Sequence, residues 1–145
     1  MANILTLNLV VSSATKALTF YEKVFDGVRL DVYEFTEAIA NNEANVRVGN
    51  VDLRLIDENA AFECFPPKQG EVDSIWLQME VEDVEVTLQK AIDNGAKVTQ
   101  EPDVFMGTKH AEIVDPFGYT WTINQVIEVI SFEERYETYK NMISE

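Results

Sequence analysis

Apolar positions along the chain change period in a regular order. In "LNLVV", Leu7, Leu9 and Val11 alternate with Asn8 and Val10, the period-two pattern of a strand with one buried face. Ala17, Phe20, Tyr21 and Val24 then recur at the spacing of one buried helix face. Ser13 is placed as an N-cap, and Gly27 suits the C′ position just past the helix end. Seventy positions later the plan repeats. Leu77, Met79 and Val81 match Leu7, Leu9 and Val11, Asp83 replaces Ser13 as the cap, and Val84, Leu88, Ala91 and Ile92 form the helix face. Gly95 matches Gly27 at a separation of 68, because the first helix is about two residues longer.

Strand patterns follow each helix. "VRLDVYEF" serves the first half and "KVTQEPDVF" the second, where Pro102 marks an edge or interrupted strand. "NVRVGNVDLRLID" reads as a hairpin around Gly49 and Asn50, and "HAEIVDPFGYTWTIN" as a hairpin around Pro116 to Gly118. The offset of 68 superposes Leu53 on Trp121 and Arg54 on Thr122. Each half is therefore β-α-β-β-β. "TEAIANNEANV" is loop-like with at most one helical turn, and Pro66, Pro67 and Gly70 mark a connecting segment. The periods predict a single domain with module one at about 1–57, a connecting loop at about 58–73, module two at about 74–128 and a C-terminal helix at about 131–144. Ser131 and Glu134 form a capping box for that helix, and Phe132, Tyr136, Tyr139 and Ile143 form its apolar stripe, suited to its own domain or a second subunit.

The alternation also divides each strand into two rows. Opposite the apolar rows lie Thr6, Asn8 and Val10; Trp76, Gln78 and Glu80; Asp52, Arg54 and Ile56; and Thr120, Thr122 and Asn124. A solvated sheet face would look the same. If the halves curve toward one another, these rows instead line a concave site with an aromatic wall and several directional groups.

Composition narrows the functions. The 145 residues carry 26 acids against 11 Lys and Arg, a net charge of −15, which disfavours nucleic acid and anionic membranes as partners. No apolar run is long enough to span a bilayer, and the N-terminus lacks a secretory pattern, so a cytoplasmic protein is expected. Cys64 is the only cysteine, which excludes an internal disulfide and a thiolate zinc cluster.

The repeat, "ALTFYEKVF" followed by "DG", "LQMEVEDVEVTLQKAIDNGAKV" and "DPFGYTWTIN" together resemble the vicinal oxygen chelate superfamily of glyoxalase I, extradiol dioxygenases and fosfomycin and bleomycin resistance proteins, above all its PhnB-like branch. The resemblance implies an α+β fold of two βαβββ modules forming a curved mixed sheet around a cavity, plus a C-terminal helix, and a homodimer. Metal-dependent members project ligands from the first and fourth strands of each module, positions occupied here by Thr6, Arg54, Trp76 and Thr122. None is a usual ligand for a divalent cation. No cofactor is expected, and His110 and Glu112, with Glu80, remain the alternative ligands for a divalent metal.

The leading expectation is a small-molecule binding cavity lined by Thr6, Asn8, Arg54, Trp76, Gln78, Glu80, Thr120, Thr122 and Asn124. Trp76 would cover the ligand, and Arg54 would meet an anionic group or pair internally with Asp52 or Glu80. The alternatives are a lyase or isomerase, metal-dependent or using Glu80 or His110 as acid or base, and an interaction module docking a partner through the C-terminal helix.

Overall fold

Each half of the chain folds as β-α-β-β-β in the computed structural model, which describes residues 2–35, 41–68 and 74–144. Module one comprises β1 (Thr6–Val11), α1 (Ala14–Phe25), β2 (Val28–Tyr33), β3 (Glu43–Val48) and β4 (Val51–Asp57). Module two comprises β5 (Leu77–Glu80), α2 (Val84–Asp93), β6 (Lys97–Phe105), β7 (Thr108–Val114) and β8 (Thr120–Val126), and α3 (Phe132–Ile143) follows it. The fold is α+β, and its hydrogen bonding forms two four-stranded mixed sheets of equivalent order, β1-β4-β3-β2 and β5-β8-β7-β6.

The first and last strands of each module run parallel, with Leu7 beside Leu53 in sheet one and Leu77 beside Trp121 in sheet two. These registers reproduce the offsets of 70 and 68 read from the sequence. A second device also repeats. The Asp57 carboxylate accepts a bond of 2.7 Å from the Ala14 N–H at the start of α1, and the Gln125 amide oxygen accepts one of 2.9 Å from the Val84 N–H at the start of α2. Both satisfy a first-turn donor that has no partner within its helix. Ser13, Asp83 and Ser131 cap the three helices as their spacing predicts.

Both helices pack on the apolar rows of the sheets, and one core runs through the two modules. Leu9, Val11, Leu53, Leu55, Trp121 and Ile123 are buried, while Leu7, Leu77 and Met79 pack at its margin. Phe20, Tyr21 and Phe25 of α1 reach across to Phe117 and Trp121, with the Phe25 and Trp121 ring centroids 4.5 Å apart. Asp115 fixes this junction. Its Oδ1 accepts from the N–H groups of Phe117 and Tyr119, and its Oδ2 accepts from the Tyr21 hydroxyl at 2.5 Å and the Trp121 indole at 2.9 Å. Burial holds the Asp115 carboxyl above its ordinary range despite these four donors, and burial first, then Asp115 itself, pushes the Tyr21 hydroxyl well above its own.

Several local readings need correction. The left-handed residue ending α1 is Asp26, at φ 54°, and Gly27 follows it because a side chain there would meet Val46 and the Tyr21 carbonyl; Gly95, at φ 97°, does take the expected conformation. Ile92 is exposed on α2, whose ten residues bury Val84, Thr87, Leu88 and Ala91 instead. β3 begins at Glu43 inside the segment read as a loop, since pairing with β4 supplies backbone partners that the local sequence does not advertise. Residues 36–40 of the segment read as loop-like with at most one helical turn, and the turn at Gly70, lie outside the described residues. The connecting segment holds a short turn, Ala60–Phe62, closed by a bridge between Asn59 and half-exposed Cys64.

Candidate functional site

Residues paired across neighbouring strands share a sheet face. On sheet one the face opposite α1 carries Thr6, Asn8 and Arg54, with Asn8 beside Arg54. Arg54 is engaged by Glu43, not by Asp52 or Glu80. Its Nη2 donates to Oε1 at 2.6 Å and its Nε to Oε2 at 3.1 Å, and this contact holds the guanidinium pKa above its ordinary value. Asp52 is taken by Arg47 in the same manner, which lowers the carboxyl pKa. The charged groups of this face are thus largely matched to one another.

Sheet two differs. One row across it runs Gln78, Thr122, Glu112, and the next Glu80, Asn124, His110, Asp103. His110 and Glu112 therefore share the face of Thr122 and Asn124. Glu112 accepts a 2.8 Å bond from the Thr99 hydroxyl. The Asn124 amide oxygen is buried and has no hydrogen-bond partner, the one such side-chain atom among the described residues. A buried, unpaired carbonyl costs about 1–3 kcal/mol and marks a position where a donor is missing.

Asn124 also lines a pocket of about 260 Å³. Its floor is His110, Thr122 and Asn124, and its roof is Arg135 and Tyr139 of α3, with Phe105, Met106 and Thr108 closing one end. Placement of the roof has a local cause. Met106 and Gly107 turn β6 into β7 with φ of 51° and 77°, and the Gly107 carbonyl accepts from both Ile127 and Glu128. The chain leaving β8 is thereby pinned to this turn before Ser131 starts α3. The Phe105 and Tyr139 rings meet at 6.4 Å. The rest of the α3 stripe is open, with Phe132 74% and Ile143 84% exposed, and no residue of the helix is buried.

Of the residues singled out in the sequence, Thr122, Asn124 and His110 come together in this pocket. Gln78, Glu80, Thr120 and Glu112 share its sheet face outside the lining, while Thr6, Asn8 and Arg54 belong to the other sheet. Trp76 precedes β5 and is 58% exposed. Sequence reasoning missed Phe105, Met106, Thr108, Arg135 and Tyr139 as lining. The signal was partly present: Arg135 lies one helical turn before Tyr139, and Met-Gly between two strand patterns is a hairpin signature.

The family model described as the Glyoxalase/Bleomycin resistance protein/Dioxygenase superfamily matches residues 3–123. The chain belongs to that superfamily. An uncharacterised protein of Mycobacterium bovis is 27% identical over 134 residues, covering 90% of this chain and 88% of its own length. Among solved structures, the PhnB protein of Bacillus cereus superposes with a TM-score of 0.63 at 17% identity, over 85% of this chain and 99% of its own. The fosfomycin resistance protein FosX of Listeria monocytogenes, complexed with Mn(II) and a sulfate ion, gives 0.66 at 10% identity, over 94% and 98%. At these identities the structures establish a shared fold.

The residues at the positions that the superfamily resemblance assigns to metal ligands do not fit a divalent cation. Thr6 and Thr122 offer neutral hydroxyls, Trp76 an indole, and Arg54 a cation bound to Glu43. The alternative set is no better assembled. Glu80 and His110 lie on strands either side of β8, about 10 Å apart at ordinary strand spacing, and among the described residues no three His, Cys, Asp or Glu side chains converge to hold an ion.

Proposed function

We propose that this superfamily member, of PhnB-like type, binds a small organic molecule between the outer face of sheet two and α3, and does so without a resident divalent metal. Asn124 carries the reading, because its side chain lines a pocket with two other polar floor residues and its buried oxygen lacks a partner. Aromatic and apolar groups at one end and hydrogen-bonding groups on the floor are the ordinary composition of a small-molecule site. The metal-free part rests on the donor chemistry at Thr6, Arg54, Trp76 and Thr122.

The test is a metabolite panel read by melting temperature, with hits followed by amide chemical shifts on the full chain. Bound ligands should perturb Thr122 and Asn124, and Thr122→Val or Asn124→Leu should weaken them about tenfold, whereas Arg54→Ala on the other sheet should leave them within twofold. Hits that respond to Arg54→Ala alone would move the site to sheet one. Elemental analysis of untagged protein tests the metal-free part, and stoichiometric Mn, Zn, Ni or Fe would overturn it.

His110 supports a second reading. Its imidazole lines the pocket and can both donate and accept a proton, so it is the residue placed to act in a lyase or isomerase reaction. Turnover of a bound hit that His110→Gln abolishes without loss of binding would favour it.

A further inference from the structure

The pocket under α3 has an unusual charge for this protein. Acids outnumber bases by 26 to 11 along the chain, yet the lining contains Arg135 and no carboxylate. A cleft of about 360 Å³ beside α2 shows the contrast, with Asp26, Glu80, Glu82 and Asp83 against Lys90. Arg47, Arg54 and Arg29 are each held by a carboxylate, whereas Arg135 makes no side-chain hydrogen bond or ion pair among the described residues. An unengaged guanidinium thus stands over a floor whose Asn124 oxygen lacks a donor.

Resting on the pocket reading above, we infer that the ligand is a small organic anion that also carries a hydroxyl or N–H donor and an apolar, preferably aromatic, body. Arg135 meets the anionic group in the geometry guanidinium offers a carboxylate. The adjacent donor satisfies Asn124, and the body lies against Phe105 and Tyr139. Glu80, Asp103 and Glu112 share the sheet face beside the lining and oppose an anion there, so the preference rests on direct contact with Arg135, while charges more than about 10 Å away are largely screened at 0.1 M salt.

The test uses three probes on the full chain at pH 7, followed by amide shifts: 3-phenyllactate, 3-phenyllactamide, which lacks the charge, and 3-phenylpropionate, which lacks the hydroxyl. The expected result is perturbation of Thr122, Asn124 and Tyr139 by phenyllactate, with the other two about tenfold weaker. Arg135→Gln should abolish the preference for acid over amide, and Arg135→Lys should retain part of it. Equal binding of acid and amide at these residues would overturn the anion assignment and leave the pocket reading standing. Binding elsewhere, or no perturbation by any probe, would overturn both.

Discussion

Asp115 shows how one residue joins the modules. The turn "DPFG" supplies two backbone donors to its carboxylate, and Tyr21 and Trp121 supply two side-chain donors from either module, so a single acid closes the turn and docks α1 on sheet two. Asp115→Asn replaces one acceptor with a donor and leaves at least one buried partner unpaired, with an expected loss of about 2 kcal/mol in urea denaturation. The pH dependence has a definite sign. A carboxyl pKa raised on folding contributes most below the ordinary value of 3.8 and loses that contribution as pH rises through the folded-state value. The stability gap between wild type and Asp115→Asn should therefore be larger near pH 4 than at pH 7. A gap that widens with pH would mean that the four donors outweigh burial. The sequence marked "DPFG" as a turn, but nothing local in it indicated the bond to Tyr21, which lies 94 positions away.

At the scale of elements, the repeat made most of the architecture legible. Strand rows, helix caps and both offsets follow from period and spacing, and β6 behaves as its Pro102 requires, an edge strand with two register shifts. Less was legible where partners are distant. Arg54 finds Glu43 because antiparallel pairing across the Gly49-Asn50 turn brings β3 beside β4, and Glu43 lies in the part of β3 that the sequence pattern presents as loop. The pocket was half visible, since its floor is a sheet row while its roof comes from α3, whose position depends on the Gly107 carbonyl holding Ile127 and Glu128. Gly107→Ala tests that dependence. At φ 77° a side chain is strained, and its Cβ would collide with the Glu128 carbonyl oxygen. The substitution should cost about 1–3 kcal/mol and speed amide exchange at Ile127, Glu128 and the first turn of α3 more than in β1 or β4. Uniform acceleration across both modules would show that the turn serves global stability and does not specifically place the helix.

The molecule as a whole exposes more surface than its mass warrants. Its accessible area is 9721 Å², against about 7,550 Å² for a compact monomer of 16.5 kDa. Large apolar side chains contribute to the excess, including Ile4, Val129, Phe132, Tyr136 and Ile143. Apolar side chains exposed together suit an interface between copies, and a twofold axis lets the same patch cover itself. We therefore expect a mass near twice the monomer by light scattering, in keeping with the homodimer that the superfamily resemblance implies. Phe132→Glu combined with Ile143→Glu removes the most exposed part of the α3 stripe while leaving the core untouched. If α3 lies in the interface, the double variant becomes monomeric at micromolar concentration and keeps its far-ultraviolet circular dichroism. If it stays dimeric, the contact runs instead through the exposed residues around β1 and β5, and α3 is left to roof the pocket alone. A wild-type mass equal to the monomer would refute the dimer and leave the apolar face without an occupant.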